Sequence, residues 1–273
     1  MRDWSLSFIS APALLAGILL AAPAPAHEYW LEPEVFQLDP ETRLEARGFV
    51  GETLEGDELG YYPQSTVHLD LTLGDETVPL TGEVGQLPVV DTDLLGSGLH
   101  ILRFQSANYE VSYPTFEKFD EFLREWNLEW ARDEHVSNDF PRADIREVYF
   151  RYAKALVASG EGEGDDRALG MPFELVALTN PYAEPAPEQI EIELRFQGEP
   201  LADGRVKHFY RAPDGTVEKT RLRTNGVGRL SVPAGPGFHL INAVYLDLAS
   251  QRMQMLLGAS WQSLWASLTY GID

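Results

Sequence analysis

Cysteine is absent from this 273-residue chain, which excludes disulfides, thiolate metal sites and a cysteine nucleophile. Any metal must then be held by histidine, carboxylate, methionine or the amino terminus. Those ligands are few apart from the carboxylates, with 6 histidines and 4 methionines. Positive charge is also short, since 21 Lys and Arg face 43 Asp and Glu for a formal net charge of −22. So acidic a surface repels nucleic acid and anionic lipid head groups and concentrates cations, and no nucleic-acid partner is expected. Familiar catalytic motifs are missing as well. There is no His-Glu-x-x-His, no Gly-x-Ser-x-Gly and no phosphate-cradling loop, and Gly96-Ser97-Gly98 within a β pattern is a turn. Carboxylate pairs abound because the chain is acidic, so none stands out as a general acid and base. The expected role is binding rather than catalysis.

Long apolar runs are limited to one, residues 6–22 behind Arg2, which prolines at 12 and 23 interrupt and which is short for a membrane span. It is followed by Ala24-Pro25-Ala26, a small-x-small cleavage signature, and at once by His27. Residues 1–26 therefore read as a cleaved export signal, giving a periplasmic protein that starts at His27 and does not span the membrane. A cut after Ala24 would instead place Pro25 first, which signal peptidases tolerate poorly.

What the chain does contain is short alternating segments and turns. In residues 27–113, Val67, Leu69, Leu71 and Leu73 alternate with His68, Asp70 and Thr72, a half-buried strand ending in a hairpin turn at Gly74-Asp75, and a second strand spans 99–104. Residues 114–169 change period. Phe116, Phe119, Leu123, Trp126 and Trp130 predict one amphipathic helix; Ile145, Val148, Tyr149, Tyr152, Ala153, Leu156 and Val157 predict a second, joined by a polar loop over 133–139. The acidic, glycine-rich run 161–166 reads as a solvated linker. Residues 170–273 return to strands over 190–196, 204–211, 217–223, 229–232, 238–246 and 260–270, separated by Pro-Asp-Gly, Asn-Gly and Pro-Gly turns. The fold class expected is mainly β: two β-sandwich-like domains, the C-terminal one immunoglobulin- or prealbumin-like, with an α-helical insertion between them.

Several segments together carry a resemblance: His27-Glu28-Tyr29-Trp30-Leu31-Glu32-Pro33 directly after the leader, residues 146–156, Phe173-Glu174-Leu175-Val176 with Asn180-Pro181, Gly198-Glu199-Pro200-Leu201, and the ending 261–270. In this order they resemble the DUF4198 family, also labelled NikM-like or nickel-uptake-associated. The resemblance implies an exported bacterial protein linked to transition-metal uptake, serving a metal transporter or outer-membrane receptor. It also implies a histidine in the strand after the Pro-Gly turn, where this chain reads Ala243-Val244-Tyr245-Leu246.

His27 is the sharpest candidate ligand. As a first residue it would chelate nickel(II) or copper(II) through its α-amine and imidazole; the plainer reading is a frayed terminus. The other amino-terminal copper and nickel motif needs histidine third, where Tyr29 stands. His68 with Asp70 on one strand face and His239 later are the candidate partners, although the pair alone reads more readily as an ordinary exposed face. His100 is expected to be packed and His135 solvated. The function expected is transition-metal binding or delivery, against two rivals: a histidine-brace copper redox enzyme and an interaction module with incidental histidines.

Overall fold

The computed structural model describes residues 27–273, so the expected leader and its cleavage site lie outside the described residues. The first stretch forms β1 (Glu28–Pro33), β2 (Gln37–Leu38), β3 (Arg43–Glu52), β4 (Glu55–Leu59), β5 (Thr66–Leu73), β6 (Glu76–Pro79), β7 (Val90–Asp93), β8 (Gly98–Ser106) and β9 (Tyr109–Thr115). Helices α1 (Phe116–Glu125) and α2 (Ala131–Ser137) follow, then the long strand β10 (Ala143–Ser159). The remainder forms β11 (Phe173–Ala177), β12 (Gln189–Phe196), β13 (Glu199–Pro200), β14 (Arg205–Arg211), β15 (Val217–Arg223), β16 (Arg229–Pro233), β17 (Gly237–Leu248), α3 (Gln251–Leu257) and β18 (Trp261–Ile272).

Among the described residues these strands make a ten-stranded sheet of order β15-β14-β17-β18-β10-β8-β5-β6, with β2 and β9 added against β10, and two four-stranded sheets. One small sheet (β1, β3, β4, β7) and the other (β11, β12, β13, β16) belong to separate apolar cores. β10 explains the layering. Its even-numbered Tyr152, Leu156 and Ala158 enter the core with Phe173, Ile190 and Ile192, while odd-numbered Ala153, Ala155 and Val157 enter the core with Tyr29, Leu31 and Leu44. Alternation therefore persists, but both faces are buried. The fold is mainly β and sandwich-like, as expected.

Most strands of the C-terminal stretch fall where the sequence places them, because the turn residues fix their ends: Gly215 takes a φ of +86° between β14 and β15, and the Asn225 side chain accepts from the Val227 and Arg229 amides after β15. α1 also matches, with Phe119, Phe122 and Leu123 buried and the Thr115 side chain capping its start. Three expectations are corrected. The second helix is instead β10; Trp130, expected in the core, is 44% exposed; and part of the expected polar loop is α2, whose His135 is buried, accepting from Trp261 Nε1 at 3.0 Å.

The large sheet joins strands from both ends of the chain. β10 pairs in parallel with β18 from Glu147↔Trp261 to Ala155↔Thr269, and Thr269 Oγ1 donates to Leu31 O at 2.6 Å, tying β18 to the β1 layer. A fragment of residues 170–273 would thus leave β18 with an open edge and half of its apolar cover gone. Its thermal unfolding is expected to be broad and non-cooperative, where a sandwich domain that folds by itself would melt sharply.

Candidate functional site

A cleft of about 600 Å3 opens between β1, the β3–β4 turn, β9, α1 and β14–β15. Its floor is an ionic cluster that α1 and β14 deliver. Lys207 is 3% exposed and places Nζ 3.6 Å above the Trp126 ring, 2.7 Å from Glu125 Oε1 and 3.4 Å from Glu28 Oε1. Lys219 and Arg221 close on the same Glu125 carboxylate at 3.1 and 2.9 Å. Burial opposes ionisation of Glu125, but its hydrogen bonds to Lys207 and Lys219 prevail and hold its pKa down at about 2. Glu28 goes the other way: desolvation outweighs the attraction of Lys207 and raises its carboxyl. Val111, Tyr113 and Phe122 supply an apolar wall.

His27 lies beside Glu52, which lines this cleft. The side chains behind it are anchored, with Tyr29, Trp30 and Leu31 buried. Its Nδ1 lies 3.1 Å from Glu52 Oε1, out of hydrogen-bond alignment and, among the described residues, without another partner, although the atom is buried. An orphaned nitrogen beside a carboxylate is the arrangement a cation would complete.

The other sequence candidates lie elsewhere, and Asp70 and His239 are occupied. Asp70 is not on an exposed face; it is 4% exposed, and Arg103 opposite it on β8 donates to both carboxylate oxygens, with Nε 3.0 Å from each. His68 Nδ1 is 3.9 Å from Asp70 and half-exposed. His239 donates from Nε2 to Gly235 O at 2.8 Å, which leaves its Nδ1 to accept from His208 Nε2 at 3.0 Å. The two rings stack at 5.2 Å, and desolvation with the charge of its neighbour pushes His208 down to about 4, so the pair is neutral near pH 7. Among the described residues no three His, Asp or Glu side chains gather in a group suited to a metal ion. His100 is packed as expected, with Leu95 N donating to its Nε2 at 3.1 Å.

Sequence reasoning missed the buried charges on β10. Lys154 is fully buried and contacts Asp166 Oδ1 at 2.6 Å and Glu174 Oε1 at 3.5 Å. Asp166 was expected in a solvated linker, yet it also accepts from the Arg167 and Ala177 amides at 2.7 and 2.8 Å. Glu147 accepts from Tyr113 Oη at 2.8 Å and from Ser263 Oγ, which Trp265 Nε1 approaches at 2.8 Å.

The family model described as "Domain of unknown function (DUF4198)" matches residues 24–247. The chain belongs to the DUF4198 family. The matched span of this DUF4198 protein includes His27, the cleft and β10, and ends before β18. No curated protein matches it. The solved structures that align with it include one from a large adhesion protein and one from Intimin. One, the tetra-tandem repeat in the extending region of a large adhesion protein, is 10% identical and covers 91% of this chain and 50% of its own, with a TM-score of 0.25. The other, the D0-D1 domain of Intimin, is 9% identical and covers 88% and 97%, with a TM-score of 0.20. The chain spans about half the length of the adhesion repeat. Among the described residues no helix is long and apolar enough to cross a membrane.

Proposed function

We propose that this protein is exported, begins at His27 after processing, and binds copper(II) or nickel(II) there for delivery to an uptake transporter or receptor of the bacterial envelope. The observation that carries the reading is the buried, unpartnered His27 Nδ1 at 3.1 Å from Glu52. The α-amine and Nδ1 of a first-position histidine close a six-membered chelate ring on one metal ion. Glu52 would add an oxygen, and both metals favour such a nitrogen-rich donor set. The acidic surface would raise the local cation concentration around it. His68, Asp70 and His239 are no part of this site, since Arg103 and His208 already hold two of them.

Chelator-competition titration with copper(II) tests the reading. Protein starting at His27 is expected to bind about 10–100-fold more tightly than a Met-extended form, His27→Ala or Glu52→Gln. Affinity should rise with pH as the α-amine, of ordinary pKa about 7.7–8.0, loses its proton. Equal affinity for the Met-extended and authentic proteins would remove the amino-terminal site. Reductant-dependent oxygen consumption by the copper-loaded protein would make it a redox enzyme instead of a carrier.

A further inference from the structure

Arg151 stands on β10 with 6% of its surface exposed, and its Nε is buried without a hydrogen-bond partner. Among the described residues no carboxylate comes within ion-pair distance of it. Three tyrosine rings surround it instead: Tyr149 at 5.1 Å, Tyr109 at 5.2 Å and Tyr29 at 5.8 Å from the guanidinium carbon. A guanidinium stays charged at any pH the protein meets, so burial cannot be relieved by losing a proton. Ring faces attract the cation, but they accept none of its five N–H donors in the plane. Desolvating the guanidinium with its Nε–H unpaired opposes folding. The side chain is one anion short.

The space for that anion is present. Arg151 lines a pocket of about 210 Å3 together with Tyr29, Leu59, Val89, Phe104 and Tyr109, room for about seven waters at ~30 Å3 each. The remaining lining residues, Gly60, Tyr62, Ser65 and Thr66, carry no ionised group, so Arg151 is its single charge. That selects the ligand. A planar carboxylate matches the guanidinium fork with two parallel hydrogen bonds and cancels one charge with one. A phosphate dianion would remain half-compensated inside a molecule of net charge −22. The aromatic and aliphatic walls fit an apolar body behind the carboxylate.

We infer that this pocket binds a small organic monocarboxylate with an apolar or aromatic body, held by Arg151. The site is distinct from the cleft beside His27, and the inference does not depend on metal binding. Benzoate is the probe, with isosteric neutral benzamide and inorganic phosphate as comparisons. Benzoate at millimolar concentration is expected to raise the melting temperature of the full mature protein and to shift the Arg151 Nε–H resonance, while benzamide and phosphate do neither. Arg151→Met should abolish the response, and Arg151→Lys, which lacks the fork, should weaken benzoate at least about tenfold. An unmoved Nε–H resonance in the unaltered protein would overturn the inference even if Arg151→Met failed to fold. So would a benzamide response equal to that of benzoate, a phosphate response in its place, or a benzoate response that survives in Arg151→Met.

Discussion

Lys154→Met is expected to destabilise the protein by about 3–5 kcal/mol at pH 8, because it removes one partner of a buried ion pair and leaves the other charge behind. The ammonium serves four acceptors: Asp166, Glu174 and the carbonyls of Arg167 and Leu175, the latter two at 2.9 and 3.1 Å. It thereby staples β10 to the segment that leads into β11. Methionine fills the volume and satisfies none of these groups. Even with Lys154 in place, desolvation raises the Asp166 carboxyl above its ordinary value of 3.8, so the pair is no surplus of attraction over burial. Without the lysine that pKa rises further. A carboxyl raised on folding contributes its stability fully below the unfolded pKa and loses it as pH climbs through the folded one. The deficit of Lys154→Met should therefore be smaller at pH 5 than at pH 8. Urea unfolding at the two pH values checks this: a loss under about 1 kcal/mol at pH 8 would show the cluster to be energetically idle, and one unchanged by pH would show that Asp166 takes up no proton when the lysine is gone.

The same residues explain what the sequence made legible and what it concealed. Strands β12 and β14 to β18 could be placed because Asp214-Gly215, Asn225-Gly226 and the glycines around Pro236 announce their turns locally. β10 could not. Glu147, Arg151 and Lys154 are spaced by 4 and 3, which on a helix would line one polar face opposite the apolar stripe, so the helical reading satisfied every local rule. The competing explanation, a strand buried on both faces whose Glu147 and Lys154 are satisfied from other elements, depends on β1, β18 and the 166–174 segment, none of which is near in sequence. Asp70 failed for a similar reason, since only the β5–β8 register sets Arg103 opposite it. His208 and His239 meet diagonally across β14 and β17, again a product of register. His27 differs: its neighbours on β1 are apolar and local, so its anchoring was readable, while Glu52 beside it follows from the β1–β3 pairing.

Glu147→Gln is expected to be more stable than the unaltered protein at pH 8, and the advantage should vanish in mild acid. Glu147 is fully buried on β10, and desolvation raises its carboxyl from 4.5 to about 7 against the opposing hydrogen bonds of Ser263 and Tyr113. By the same linkage its contribution is whole below pH ~4.5 and is lost as pH rises to about 7. The shift corresponds to about 3 kcal/mol. Glutamine reproduces the protonated acid, since its oxygen can accept from Tyr113 Oη and its amide can donate to Ser263 Oγ, and it never ionises. Other buried titrating groups, Glu28, Asp166 and the histidines, are common to both proteins and drop out of the difference. Paired denaturation curves between pH 4.5 and 8, followed through Trp265 fluorescence, should therefore diverge steadily and level off above pH 7. A difference that stays constant across the range would mean that Glu147 is held in one protonation state, and that the Tyr113 end of the cleft carries no titrating group behind it.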